Sequence, residues 1–524
     1  MSLLQRCLSL LLLLPICQAA AFKDPLVRLD YGTFQGKYNE QYNISHFRRI
    51  PFAAPTSGQN RFRAPQPPLP ITDGTYNSNQ DFPMCPQRTV NGSEDCLSLG
   101  LYSRPWTNPK VKRPVVVFFY GGAFVQGSAS FGIPPSAYPT LNVSKENDFI
   151  MVYPNYRVNA LGLLPGRKVK DSPDADLNAG LLDQQYALRW VQKHIHNFGG
   201  DPKNVSIWGQ SAGGGSVVAQ LIANGGQTSP KLFTRALTNS PFWPKTYRYD
   251  SKEAEALYDE MVSLTGCASA ADSLQCLKTV DIQTIRDASL KISALNRYGT
   301  SSNNWAPVID GEFLREPLSV AASKGRINVD EVLAMYNSHE GENFLPSGLT
   351  RLANGSSAPF ESWVKAFLPG LAVEEVAAIY PPNGSTETLS YDTDRTRAGL
   401  VYRDVVLACP ALWVAKAPGK KGWLGEYIIS PSKHASDTGY WNKINSIQTS
   451  DPKIYKAYAG LLARFLQTGS PNGRSSSESG NAIFPEIKTG EQFLVTPSGI
   501  GAVKLQNLEQ RCAFWQSHGD RIPV

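Results

Sequence analysis

The sequence has no C-x-x-C pair, and its six histidines are scattered, so it offers none of the ligand spacings that hold a zinc ion. Neither a metal nor any other cofactor is expected. It also lacks long blocks of one charge. The 51 Lys and Arg against 44 Asp and Glu leave a net of +7 spread along the chain, which excludes an electrostatic footprint for nucleic acid or an anionic membrane. After the first twenty residues no apolar run reaches the ~18 needed to span a bilayer. The ending Gly519-Asp520-Arg521-Ile522-Pro523-Val524 is neither a lipid-anchor tail nor an ER-retention signal, so no stable membrane anchor is expected. No internal repeat occurs, and no linker separates two cores.

What the chain does carry at its start is one positive charge, at Arg6, then an almost wholly apolar stretch from Cys7 to Ile16 and the small residues Ala19-Ala20-Ala21. That is the pattern of a secretory signal peptide over residues 1–20, and it predicts a secreted, extracellular protein. Two of the eight cysteines leave with it. Cys85, Cys96, Cys267, Cys276, Cys409 and Cys512 remain, an even number that suggests three disulfides in an oxidising compartment with the connectivity open. The simplest pairing joins the sequence-close Cys85 with Cys96 and Cys267 with Cys276, which leaves Cys409 with Cys512. The sequons at Asn43, Asn91, Asn142, Asn354 and Asn383 are candidate glycan acceptors. A sixth, at Asn204, directly precedes a strand and is expected to be buried and bare.

In chain order, Val27 to Tyr38 reads as a small antiparallel sheet, and the proline-rich stretch from Ile50 to Pro65 as ordered loop over the surface. Pro114 to Tyr120 and Asp148 to Pro154 read as strands covered on both faces, and Asp183 to Ile195 as a crossover helix. Further on, Arg235 to Ser240 reads as a short strand and Lys252 to Leu264 as a helix. A mostly helical region then runs from about Asp272 to Gly370, broken by a loop from Tyr298 to Asn304. Gly473 to Asn481 is expected to be a surface loop. Strand, helix, strand in this order implies parallel pairing with a right-handed crossover.

The organising stretch is Val205 to Gly215, where a β-branched run enters Gly209-Gln210-Ser211-Ala212-Gly213 and a breaker-free helix follows. Strand, sharp turn, helix is the context of a nucleophile elbow, with glycines where the backbone leaves no space for a Cβ. An ordinary glycine-rich turn with an idle serine would share the pentapeptide. A serine hydroxyl needs a general base, and a carboxylate to orient that base. Of the histidines, His46 lies in a sequon turn, His194 and His196 end the crossover helix, His518 is near the C-terminus and His339 precedes a candidate acid. His434 remains, where a strand ends and a loop begins. Glu340 follows a strand-like run and lies between Ser211 and His434, the chain order an α/β-hydrolase uses. Asp310 and Asp437 compete with it. Asp310 belongs to a Val-Ile-Asp-Gly turn, and Asp437 is close to His434 in sequence. After the strand 114–120, Gly121-Gly122-Ala123-Phe124 has the small residues of a loop whose N–H groups face an oxyanion.

These residues resemble the type-B carboxylesterase and lipase family, which includes cholinesterases and secreted fungal esterases and lipases. The resemblance rests on Ile50-Pro51-Phe52-Ala53 with Arg61-Phe62, Ser93-Glu94-Asp95-Cys96-Leu97, Tyr120 to Phe124, Asn155-Tyr156-Arg157 and Asp183-Gln184-Gln185. It continues in Phe198 to Pro202, Gly209 to Gly214, Asn337 with Glu340-Gly341, and Cys512 with Phe514-Trp515. It implies an α/β-hydrolase fold: a central, mostly parallel sheet flanked by helices, in one domain over 21–524 rather than the several that length alone suggests. It also implies Ser211 as nucleophile, Glu340 as acid, His434 as base, the N–H groups of Gly122, Ala123 and Ala212 as oxyanion hole, and Ser240 as a hydroxyl near the acid. The family's disulfide pattern agrees with the pairing above. Two departures stand out: Gln210, where many members have Glu, and Ala123, where many have a third glycine. The implied function is a serine carboxylesterase that turns over a small-molecule ester through an acyl-enzyme. The alternatives are a lipase on longer acyl esters, an ester-processing step in secondary metabolism and, least favoured because all three triad residues are present, a non-catalytic binding homologue. Oligomeric state is not legible.

Overall fold

The structure is a computed structural model that describes residues 23–106, 112–144, 147–294, 304–350, 356–472 and 484–524. The signal-peptide stretch 1–20, the sequon Asn354, the loop 473–481 and all of the loop 298–304 but Asn304 lie outside the described residues.

Eleven strands form the main sheet: β1 Lys37–Asn39, β2 Ile44–Pro51, β3 Ser98–Ser103, β4 Arg113–Phe119, β5 Ile150–Pro154, β6 Gly200–Gln210, β7 Arg235–Asn239, β8 Glu331–Asn337, β9 Lys421–Tyr427, β10 Glu491–Thr496 and β11 Gly499–Lys504. Their spatial order is β11-β10-β9-β8-β7-β6-β4-β5-β3-β2-β1. The seven from β5 to β10 run parallel, and antiparallel pairs close both edges. The central strands read as continuous apolar runs because both of their faces are covered. Val115, Val116 and Val117 of β4 and Val205, Ile207 and Trp208 of β6 are fully buried.

The covering layers include helices α1 Ala179–His194, α2 Ala212–Gly226, α3 Ile282–Ala294 and α4 Asp394–Ala415, followed by α5 Thr438–Trp441, α6 Pro452–Thr468 and α7 Gln506–Ser517. Between β5 and β6 the crossover helix is α1, whose Leu181, Leu188 and Val191 face the core at helical spacing. α4 contains a π turn over Asp404–Ala408 and is buried throughout its apolar length. That burial makes it a core helix. Three disulfides tie Cys85 to Cys96, Cys267 to Cys276 and Cys409 to Cys512.

Three sequence expectations need correction. The N-terminal sheet pairs Leu26–Leu29 with Gly32–Gln35 antiparallel, but its third strand, Thr75–Asn77, joins in parallel, while Lys37–Asn39 belongs to the main sheet. The stretch from Ile50 to Pro65 is not merely draped over the surface. Its first two residues end β2, Phe52 and Phe62 are buried, and buried Arg61 makes a two-pronged pair with Glu94 at 2.7 Å. Asn204 is half-buried rather than enclosed, and its amide oxygen is held by Arg235. Asn43, Asn91, Asn142 and Asn383 are exposed.

Candidate active site

Strand β6 delivers Ser211 into a turn at φ 59°, ψ −127°, and α2 starts at the next residue. Such backbone is costly for a serine and persists where its surroundings enforce it. A Cβ on Gly209 would lie 2.2 Å from Gly213 O, and one on Gly213 would lie 2.1 Å from Phe119 O, so both flanking positions exclude a side chain. Backbone bonds on both sides hold the turn. Ser211 N donates to Asn239 O at 3.0 Å, and Phe242 N donates to Ser211 O at 2.9 Å.

The sequence-selected base and acid are brought to this serine. His434 Nε2 lies 2.8 Å from Ser211 Oγ, and His434 Nδ1 lies 2.9 Å from Glu340 Oε2. Glu340 is fully buried, and its other oxygen accepts from Asn337 N at 3.1 Å. The loop that bears His434 is latched to the loop that bears Glu340. His339 N donates to Ser432 O at 2.9 Å, Asn337 Nδ2 to Lys433 O at 2.8 Å, and His434 N to Asn343 Oδ1 at 3.3 Å. His339 is not part of the relay, because its Nδ1 sits 2.8 Å from Glu342 Oε1. That hydrogen bond, seconded by the charges of His339, Lys433 and Arg395, holds the Glu342 carboxyl below the usual carboxylate range against partial burial.

His46, His518 and the two competing acids are engaged elsewhere. His46 is buried in β2, not in a turn, and bonds Asn79, while His518 Nδ1 contacts Phe514 O. Asp310 closes its own turn by accepting from the N–H groups of Glu312 and Leu314, and burial raises its carboxyl above the ordinary range. Asp437 lies on the base loop and bonds neutral donors rather than His434.

Gly121 to Phe124 follow β4 and face the elbow. A Cβ on Gly121 would lie 2.6 Å from Gln210 O and 3.0 Å from Ser211 Cβ, so this loop passes directly beside Ser211. Gly122 has φ 124°, and a Cβ there would meet Gln126 O at 2.1 Å. Ala123 and Phe124 follow at φ 56° and 61°, and the turn is closed by Val125 N and Gln126 N on Gly122 O at 3.0 and 3.1 Å. Ala212 N–H, at the first position of α2, has no acceptor within the helix and stands at its positive end. Aromatic rings wall His434: Phe344 is edge-on to it at 5.0 Å, stacked on Tyr402 at 5.0 Å and on Phe242 at 5.8 Å.

Ser240 is buried at φ 48° with its N–H on Met335 O at 2.8 Å, and its hydroxyl has no hydrogen-bond partner among the described residues. Gln210, in place of a charged neighbour, likewise has a buried Nε2 without a partner. Sequence reasoning missed Asn239 and Phe344. Asn337 appeared in it only as part of a motif, with no role attached. No group of three or more His, Cys, Asp or Glu among the described residues is arranged to hold a metal ion.

Comparison with known proteins follows the same line. Residues 23–515 match the sequence profile of the Carboxylesterase family. The carboxylesterase patB of Aspergillus clavatus is 30% identical over 97% of this chain and 98% of its own. Secreted lipase 4 of Gibberella zeae is 27% identical over 98% of both, and the cholinesterase of Mus musculus 30% identical over 97% of this chain and 89% of its own. The solved structure of EstA from Aspergillus niger superposes with a TM-score of 0.81 at 28% identity, covering 96% of this chain and 99% of that one.

Proposed function

The chain belongs to the carboxylesterase family and is a carboxylic ester hydrolase; from that premise we propose that it works as a secreted serine esterase through an acyl-enzyme on Ser211. The observation that carries the reading is the relay of 2.8 and 2.9 Å from Ser211 through His434 to Glu340. His434 Nε2 takes the hydroxyl proton as Oγ attacks the ester carbonyl, and Glu340 holds the imidazole in the tautomer with its proton on Nδ1. The N–H groups of Gly122, Ala123 and Ala212 stabilise the oxyanion, each worth about 3 kcal/mol of barrier when well placed. The protonated His434 then gives its proton to the leaving alcohol, and water, activated by the same base, releases the acid.

Secretion is supported by the signal-like start, by relatives that are named secreted lipases, and by three disulfides that suit an oxidising compartment. In this reading residues 1–20 are removed, 21–524 act as one unit, and the exposed asparagines at 43, 91, 142 and 383 are open to glycans. A serine-directed organophosphate tests the chemistry. One adduct, on Ser211, with loss of ester turnover is expected; full turnover with Ser211 unmodified would overturn it.

The lipase names of some relatives bring a second reading, hydrolysis of longer acyl esters at an interface. The loop closed by Cys85 and Cys96 argues against it, being short and free of Trp, Tyr and Phe. Soluble esters of short or medium acyl chains, or aryl esters, are therefore the proposed substrates, with no preference for choline because that loop offers no ring to a quaternary ammonium.

A further inference from the structure

Beneath the relay, three separate catalytic segments converge on one carboxylate. Asp437 is fully buried. Its Oδ2 accepts from Asn239 Nδ2 at 2.9 Å, from Tyr458 OH at 2.9 Å and from Trp441 Nε1 at 3.0 Å, and its Oδ1 accepts from Asn337 Nδ2 at 3.4 Å. None of these donors carries a charge.

Two of the donors lead directly to catalytic groups. Asn239 ends β7, its carbonyl receives Ser211 N at 3.0 Å, and its amide oxygen receives Trp208 Nε1 at 2.9 Å from the strand that enters the elbow. Asn337 ends β8, its backbone N–H holds Glu340 Oε1 at 3.1 Å, and its Nδ2 also holds Lys433 O at 2.8 Å, one residue before His434. Asp437 itself continues the loop that carries His434. A carboxylate accepts at all of its lone pairs, so every donor can point at it and both asparagine amides have only one satisfied orientation. A carboxamide here would turn an NH2 toward at least one donor.

We propose that Asp437 is a positioning residue for ester hydrolysis, the common anchor that fixes the Asn239 and Asn337 amides and, through them, the mutual placement of Ser211, Glu340 and His434. The inference rests on the triad reading above. Asp437 touches no substrate, since it is wholly enclosed, so its effect falls on the chemical step.

The test is a pair of cycles in the full-length protein. Asp437→Asn should lower kcat by about 10- to 100-fold, by analogy with the loss when partners that orient metal ligands are removed, with KM little changed. In a Glu340→Gln background the same substitution should cost several-fold less, because two groups that act through one relay do not lose additively. Asn337→Ala, which keeps the backbone N–H to Glu340 but releases Asp437 and the Lys433 carbonyl, should show the same non-additivity and stands in if Asp437→Asn does not fold. Equal fold losses in both backgrounds, or an unchanged kcat with a lowered melting temperature, would overturn the proposal and leave Asp437 a stabilising residue only. Organophosphate labelling of wild type separates the two layers. Without an adduct on Ser211 the triad reading has failed, whereas labelling with additive losses defeats the role of Asp437 alone.

Discussion

Ala123 sits at φ 56° in the loop that passes the nucleophile, a region where a β-carbon costs an L residue roughly 1–2 kcal/mol. Ala123→Gly should therefore raise stability by up to about 1 kcal/mol, the relief of strain less the extra freedom of glycine in the unfolded chain. Thermal unfolding checks it, and a lowered melting temperature would mean that the methyl packs usefully enough to outweigh the strain. Ser211→Ala and His434→Ala should each abolish turnover with the fold intact, and Glu340→Gln should lose somewhat less, because the relay acts as a unit. Near wild-type turnover in His434→Ala would refute the assignment of the base. Lys245 shows its effect through pH. Burial pushes the Lys245 ammonium down to about 7, while its Nζ donates to Phe367 O at 2.5 Å and lies 4.8 Å from that ring. Below pH 7 the lysine is charged in both folded and unfolded chains, so the cost of burying the charge is carried in full. Between 7 and about 10.4 the unfolded chain keeps a proton that the folded one releases, and stability rises with pH. Lys245→Met should thus gain most over wild type near pH 6 and less near pH 9, on top of a pH-independent loss of the hydrogen bond. Melting temperatures of both proteins at the two pH values decide it, and a difference that does not change with pH would count against a titrating Lys245.

Among the loops, the one closed by Cys85 and Cys96 is pinned at its base. Gln87 exchanges two hydrogen bonds with Gly127, Nε2 to O at 2.8 Å and N to Oε1 at 2.7 Å, and Arg286 of α3 donates to Gln87 O at 2.8 Å. With its base held to Gly127, shortly after the Gly121 to Phe124 loop, and to α3, this loop is not expected to swing as a lid. Rates on a series of acyl esters should therefore pass through the solubility limit without a jump, and a jump would show that another segment covers the site. The same loops show why parts of the molecule were legible in the sequence and parts were not. Continuous apolar runs announced β4, β5 and β6, and the glycines at 209 and 213 announced the elbow, because those signals are local. Proline content in the stretch from Ile50 to Pro65 reported irregular backbone but not depth, so buried Phe52 and Phe62 were misplaced at the surface. The Asn239–Asp437–Asn337 network joins positions roughly 100 to 200 residues apart, and no spacing rule reaches that far.

On the scale of the molecule, the Cys409–Cys512 bond clamps α7 to α4, and α4 in turn braces the site. Tyr402 of α4 stacks on Phe344 beside His434, and buried Arg403 donates to Ser338 O at 3.2 Å on the strand-end that leads to Glu340. Asp404 lies between Arg403 and Arg511 of α7, with nitrogen-to-oxygen distances of 2.8 and 2.6 Å, so a buried ion triad runs parallel to the disulfide. Loop-closure entropy separates this bond from the other two. A closed loop near one hundred residues costs the unfolded chain about 4.7 kcal/mol, against roughly 3 kcal/mol for loops of about ten to fifteen. The sequence separation here is 103, against 9 and 11 for the others. Replacing Cys409 and Cys512 together by alanine should therefore destabilise the protein by roughly 2 kcal/mol more than replacing Cys267 and Cys276. The first change should also depress turnover, because α4 carries side chains that brace the surroundings of Glu340 and His434. Melting temperatures and initial rates of the two double variants, compared under the same conditions, measure both effects. Equal melting temperatures would show that local packing outweighs loop entropy. An undiminished rate in the Cys409 and Cys512 variant would show that core packing and the ion triad hold α4 in place without the disulfide.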